Sequence, residues 1–324
     1  MPTNSRSGAI SLTAVFVVWA AMVIGTAFAG SWMGYGGHQF AVALGVAGGL
    51  FGFELFLAVP AVLTGMRGIL GGAAGFFAVL VPMAAVVVYG SSVTGNWKTM
   101  LGGVLYAVLP ALLVASCAGR PPGAWEDYAA VVLLWLPVWL QWLYRIFPYP
   151  PPLTHVLSIL LALSVGVAAF VMLRRLDGIG YALEWRGGFG WNFAFHFVVF
   201  AAIAIPLGMN MHFLVWAPSV HRPQPLVILG ILFFTAWPEE LLFRGLLQNM
   251  LSRSFANDWA GLIAASVIFG FSHILHAPVP NWRYVLLATI AGIFYGRAWM
   301  KTRSLVPGVL VHALVDISWH VLFR

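Results

Sequence analysis

Beyond residue 224 the chain places ionisable side chains inside otherwise apolar runs: Glu239, Glu240 and Arg244, then His273 and His276, then His312, Asp316 and His320. Putting such groups into hydrocarbon is costly, so they are expected to face one another across a protein interior and to mark function. Glu240 and Arg244 stand four residues apart, on one helix face and within reach of an ion pair. Phe269 with His273, and His312 with Asp316, repeat that interval. The 3.6-residue period turns Glu239 about 100° away from Glu240, so the two acids cannot do the same work. With Glu240 neutralised by Arg244, Glu239 is the carboxylate left free.

A free carboxylate in a low-dielectric site can act as general base on a water molecule, especially one also held by a histidine. His273 and His312 are the residues for that hold, or for donating to a developing oxyanion. Such a constellation suits hydrolysis within a membrane. The same imidazoles and carboxylates could instead ligate a divalent metal such as zinc. The helical HExxH signature is absent, however, and the single Cys117 excludes thiolate cages and an intrachain disulfide. The reading is therefore of a site without a cofactor, with zinc as the alternative.

The elements that must position these groups are set by composition. With 61% hydrophobic residues, 8% charged and a mean hydropathy of +0.93, the chain is not a soluble globular protein. Apolar runs near 9–30, 41–66, 70–90, 99–117, 129–146, 153–173, 192–209, 225–248, 259–276, 284–300 and 304–322 predict about eleven transmembrane helices. The fold class is all-α, a polytopic transmembrane helical bundle. Ala27-Phe-Ala29-Gly30 fits a leader-cleavage pattern, but the preceding apolar core is about twice too long for a leader, so an uncleaved first helix is expected.

Counting basic residues sets the orientation. With the N-terminus in the cytoplasm, that side holds Arg6, Arg67, Arg120, Arg174, Arg175, Arg186, Arg253, Arg297, Lys301 and Arg303; the other holds Lys98, Arg145, Arg222, Arg283 and Arg324. The net charge of +7 is then a topology determinant beside anionic lipid, and no basic cluster dense enough for nucleic acid is present.

Phe147-Pro-Tyr-Pro-Pro-Pro152 cannot continue a helix and predicts a boundary between residues 1–150 and 151–324. The first half pairs small residues at four-residue spacing, Gly48 with Gly52, Gly68 with Gly72 and Gly71 with Gly75, which suits close helix packing in lipid. Its one deep charge, Glu54, is expected to be a hydrogen-bonded packing residue, and Cys117 to be ordinary packing. The mixture of basic residues and tryptophans from Arg174 to Trp191 suits a membrane interface.

Three motifs in order resemble the CAAX protease and bacteriocin-processing family, also called the Abi family: Glu239-Glu240-Leu-Leu-Phe-Arg244 as EExxxR, Phe269-Gly-Phe-Ser-His273 as FxxxH, and His312-Ala-Leu-Val-Asp316 as HxxxN or HxxxD. The resemblance is strongest over about 225–322, reaches back towards 150 through Ile205-Pro-Leu-Gly208, and leaves the first 150 residues without an assigned role. It implies a glutamate-dependent intramembrane protease domain over 151–324, acting on a membrane-associated peptide or protein. Glu239 would activate water with His273, Glu240 and Arg244 would form a supporting pair, and His312 with residue 316 would hold the oxyanion. The prenyl-protease branch has Asn at the last position. Asp316 departs from that, and orienting His312 across one turn is its alternative work. On the eleven-span reading Glu239 and His312 share one depth, and His273 lies about a turn and a half deeper. His276 and His320 fall outside the motifs, and His320 is expected at an interface. A proton-coupled transporter and a non-catalytic immunity or scaffolding protein are the rival classes; the paired broken helices and repeats of many transporters are absent.

Overall fold

The computed structural model describes residues 8–218 and 225–323. Arg6, Arg222 and Arg324, used above to weigh orientation, lie outside them. Each of the eleven apolar runs forms a helical segment: α1 Leu12–Trp32, α2 Gly37–Leu57, α3 Pro60–Thr94, α4 Trp97–Ser116, α5 Trp125–Trp139, α6 Pro151–Leu173, α7 Phe189–Asn210, α8 Pro225–Ser254, α9 Asp258–Phe271, α10 Trp282–Thr302 and α11 Leu305–Leu322. Extended structure is limited to residue pairs such as Gly8–Ala9 and Glu184–Trp185, so the fold is all-α.

Among the described residues eight segments are long and apolar enough to cross a membrane, α1 to α4, α6 to α8 and α11. The other three of the eleven segments, α5, α9 and α10, are shorter or less apolar. Segment α5 has 15 residues and α9 has 14, while α10 has 21 but carries Arg283, Arg297 and Lys301. Segment α9 stops at Phe271, five residues short of expectation, because Ser272 Oγ donates to Phe269 O at 2.6 Å and Pro278 and Pro280 follow.

The helices form two compact units, one of Ala9–Asp177 and one built from Gly178 onwards. In the first, α2 receives α1 at the glycine pair: a Cβ at Gly48 would meet Val23 at 3.1 Å, and one at Gly52 would meet the Trp19 ring at 3.0 Å. Trp19 Nε1 completes this contact by donating to Gly48 O at 2.8 Å. The other glycine pairs behave differently. Gly68, Gly71 and Gly72 face open space, Gly71 at φ +55° breaks the middle of α3, and only Gly75 makes a close approach, to Leu173. Glu54 is buried and accepts from Ser164 Oγ at 2.7 Å, as a packing residue should.

The loop between α4 and α5 is tied down by two ion pairs, Arg120 with Glu126 and the more deeply buried Arg174 with Asp127. Asp127, fully buried in the first turn of α5 and outside the apolar run that begins at 129, accepts from Arg174 Nε at 2.9 Å and from the Gly123 and Ala124 amides. The Cys117 thiol donates to it at 3.4 Å. Arg174 also donates to the carbonyls of Ala118, Arg120 and Pro121, so nearly every donor on the guanidinium is used. Burial pushes the Asp127 carboxyl up, but the Arg174 hydrogen bonds and charge outweigh it and hold the group below its ordinary value.

A group depressed in this way stabilises the fold above its unfolded value of about 4, and that stabilisation is lost as pH falls through the lower folded value. Asp127→Ala is therefore expected to cost about 2 kcal/mol at pH 7. The gap between variant and wild type should begin to narrow once the pH is lowered below about 4. Thermal unfolding in detergent at the two pH values measures both; an equal gap at each would exclude the ion pair as the cause.

Candidate active site

Segment α8 carries both acids and is not a regular helix. It widens to π-helical turns over Leu232–Ala236 and Leu241–Gln248, on either side of the short α-helical stretch Trp237–Glu240. Pro238 supplies no N–H to the preceding turn, so the chain passes through it by changing pitch, and π turns of this kind recur at functional sites. The result sets Glu239 and Glu240 on different faces. Glu240 is fully buried, whereas the Glu239 side chain keeps 33% of its exposure.

Glu240 is the hub of a buried charge cluster. Its Oε2 lies 3.2 Å from Arg244 Nε, and its Oε1 lies 3.0 Å from His312 Nδ1. The Arg244 guanidinium is wholly buried, 4.7 Å from the centre of the Phe269 ring, with Tyr295 at 5.7 Å and Phe243 at 5.9 Å. Rings rather than aligned hydrogen bonds cover its faces, an arrangement whose attraction grows as water is removed. Gly308 on α11 leaves the necessary room, since a Cβ there would come within 3.0 Å of Glu240 Oε2.

His312 links this cluster to a cavity. With Nδ1 donating to the Glu240 carboxylate and its ring stacked on Tyr295 at 4.6 Å and 16°, the imidazole has one orientation. Its Nε2 then faces Glu239 Oε2 at 3.8 Å and Asp316 Oδ2 at 3.6 Å. His312 and Asp316 line a cavity of about 240 Å³ whose other walls are largely apolar, from α7 (Phe200, Ala204), α10 (Leu287, Ala291) and α11 (Trp319). Glu239 and Glu240 are not part of that wall and meet it through His312.

His273 reaches the same cavity from the turn after α9, although depth along the sequence placed it about a turn and a half away. The early end of α9 accounts for the difference. Its Nδ1 hydrogen-bonds Phe269 O at 2.9 Å, which turns Nε2 outward, and its ring lies 4.5 Å from Tyr284 and 5.5 Å from His276. Phe269 joins the cluster to both histidines, with Arg244 on its face and His273 and His312 at 4.9 and 5.8 Å. Among the described residues no hydrogen bond or ion pair joins His273 to Glu239. His276 and His320 are both exposed.

Among the described residues no three His, Cys, Asp or Glu side chains are grouped as a metal shell. Glu240 engages His312 Nδ1 and a carbonyl engages His273 Nδ1, which leaves the Nε2 atoms as the ring nitrogens open to a ligand.

Residues 221–318 match the family model described as type II CAAX prenyl endopeptidase Rce1-like. This segment is similar to that family of CAAX proteases. The match covers somewhat under a third of the 324 residues, and it contains every charged group of the cluster together with His273. Comparisons with curated proteins and with solved structures return no match. The family segment and the eight apolar helices together make the molecule an integral membrane protein.

Sequence reasoning missed Tyr295 and Tyr284, which pack against the two histidines, and Gly308. Tyr295 sits between Gly292 and Gly296 in an apolar helix, where an aromatic residue reads as core; a hydroxyl within such a run was the available signal.

The two acids should differ sharply in stability. Glu240→Ala leaves Arg244 buried without its counter-charge and is expected to destabilise by about 3–5 kcal/mol. Glu239→Gln, at a partly exposed carboxylate whose charged neighbour is His312 Nε2 at 3.8 Å, should change stability by under about 1 kcal/mol. Thermal unfolding of both variants in one detergent decides the matter, and equal losses would contradict the assignment of Glu240 as the hub.

Proposed function

We propose that the protein is an intramembrane endopeptidase that hydrolyses a peptide bond in a membrane-associated peptide or protein by a water molecule that Glu239 activates. The observation that carries this reading is the position of His312 Nε2, held towards both Glu239 and Asp316 at the edge of an apolar cavity. A site for peptide hydrolysis needs a base, a donor for the oxyanion and a dry surface for the substrate, all within a few ångströms.

In this reading Glu239 takes a proton from water as the water oxygen bonds to the scissile carbonyl carbon, and the carbonyl π electrons move onto oxygen. His312, carrying a proton on Nε2, donates to that oxyanion, and His273 Nε2 accepts a hydrogen bond that orients the water. Asp316, 3.6 Å from Nε2, acts by its charge to keep that proton on His312 rather than by donating to the oxyanion, which fits Asp where the prenyl-protease branch has Asn. Collapse of the intermediate breaks the C–N bond, and the proton held by Glu239 passes to the leaving amine. The cavity accepts an apolar side chain or part of a lipid chain on the substrate; nothing in its shape requires a prenyl group. The N-terminus lies in the cytoplasm on this proposal, as the basic-residue count favours.

Losing a general base of this kind costs on the order of a hundredfold or more. Purified Glu239→Gln protein, tested on a panel of membrane-tethered peptides, should lose cleavage by at least about that factor. A chelator added to the wild type should leave the rate unchanged. Cleavage that survives Glu239→Gln removes the proposed base, and cleavage that stops with the chelator and returns with zinc replaces the mechanism with a metal-dependent one.

A further inference from the structure

A second pocket lies at the N-terminal end of α7, separate from the charge cluster and independent of the protease reading. It encloses about 380 Å³, and its polar wall includes Arg186, Asn192, His196, Lys301 and Thr302. Three features converge there. The first turn of the 22-residue α7, entered through Gly188 at φ +89°, presents amides without intrahelical acceptors and the positive end of the helix dipole. Lys301 and Arg186 add positive charge; Arg186 is paired with Glu184, while Lys301 Nζ lies 5.6 Å over the Phe195 ring with no acid beside it. The third is a buried, unsatisfied acceptor. Asn192 gives Nδ2 to Ala298 O at 2.9 Å, which fixes the amide orientation, and its Oδ1 is buried without a partner.

Trp191 and Phe195 line the pocket and are exposed, Trp191 at 76%, and the exposed Trp185 ring lies edge-on to Phe189 of the same wall at 5.9 Å. Such rings settle at the headgroup level of a bilayer. A cationic pocket under an aromatic rim, at the end of a membrane helix, matches a phospholipid headgroup: phosphate towards the cations and amides, acyl chains outward along the rings. The unsatisfied Oδ1 asks for a donor from the headgroup as well. An ethanolammonium would bring its positive charge against Lys301, whereas a glycerol hydroxyl donates without charge.

We propose that this pocket seats the headgroup of phosphatidylglycerol, its phosphodiester on Lys301, Arg186 and the α7 amides and its glycerol hydroxyl on Asn192 Oδ1. The site would hold the α7–α10 edge to one leaflet. His196, whose Nδ1 bonds Asn192 O at 2.7 Å, is the inner limit of the site, and one turn further along α7, Phe200 lines the cavity beside His312.

The test is native mass spectrometry of the protein released from phosphatidylcholine nanodiscs doped with phosphatidylglycerol, or with phosphatidylmethanol, which has the phosphodiester but no hydroxyl donor. Wild type should retain one phosphatidylglycerol in preference to either alternative. Lys301→Met, at an exposed position, should weaken retention about fivefold, and Lys98→Met should leave it unchanged. Asn192→Ala should erase the preference for phosphatidylglycerol over phosphatidylmethanol. Full retention in Lys301→Met, equal loss in Lys98→Met, or no discrimination between the two anionic lipids by wild type would overturn the site. Displacement by free glycerol phosphate at equal concentration would overturn its assignment to a lipid.

Discussion

The second unit is organised by the cost of burying Arg244 and Glu240. Neither side chain is exposed, and a charge taken out of water is destabilising by several kcal/mol unless its surroundings compensate. Compensation here comes from four helices at once. Segment α8 supplies both charges, α9 lays Phe269 on the guanidinium, α10 adds Tyr295, and α11 brings His312 to the second carboxylate oxygen while Gly308 leaves it space. A shift of any one helix by a turn would strand a charge. The same requirement that makes the cluster expensive therefore fixes the relative register of α8 to α11.

That register also defines the candidate site. Glu240 holds Nδ1 of His312, so Nε2 has no freedom to turn away from Glu239 and Asp316. The ring of Tyr295 removes the remaining rotation by stacking on the imidazole. The first unit lacks a comparable cluster among the described residues and relies on close helix approach at Gly48 and Gly52, with the Asp127 and Arg174 pair tying a loop. Asp127 and Arg174 there close hydrogen bonds with each other; in the second unit His312 Nε2 and Glu239 remain without one among the described residues.

What the sequence disclosed was the part governed by periodicity and by the cost of charge in hydrocarbon. All eleven apolar runs became helices because length and apolarity determine that locally. The Glu240 and Arg244 pair was legible because four-residue spacing brings side chains together within one helix. The contact of His312 with Glu240 was not, since it spans 72 residues and depends on how α8 and α11 pack. Nor was the position of His273, because an early C-cap at Ser272 moved it from a helix into a turn. Gly68 and Gly72 show the converse limit: small residues at the right interval permit close packing but do not supply the partner.

Placing two acids side by side on one helix looks wasteful until their surroundings are compared. A lone glutamate at 239 would have no means of fixing the histidine that faces it, and a lone glutamate at 240 would be consumed by Arg244 and His312. Adjacency on a helix separates them by about 100° of rotation, and the π turns flanking Trp237–Glu240 let that short stretch present one carboxylate to Arg244 and the other to His312 Nε2. On the proposed reading the inner acid therefore sets where the histidine points, and only then can the outer acid and the histidine act on the same bond. The division of labour is geometric before it is chemical, and it explains why an arginine, three aromatic rings and a glycine are gathered around the acid that does not touch substrate.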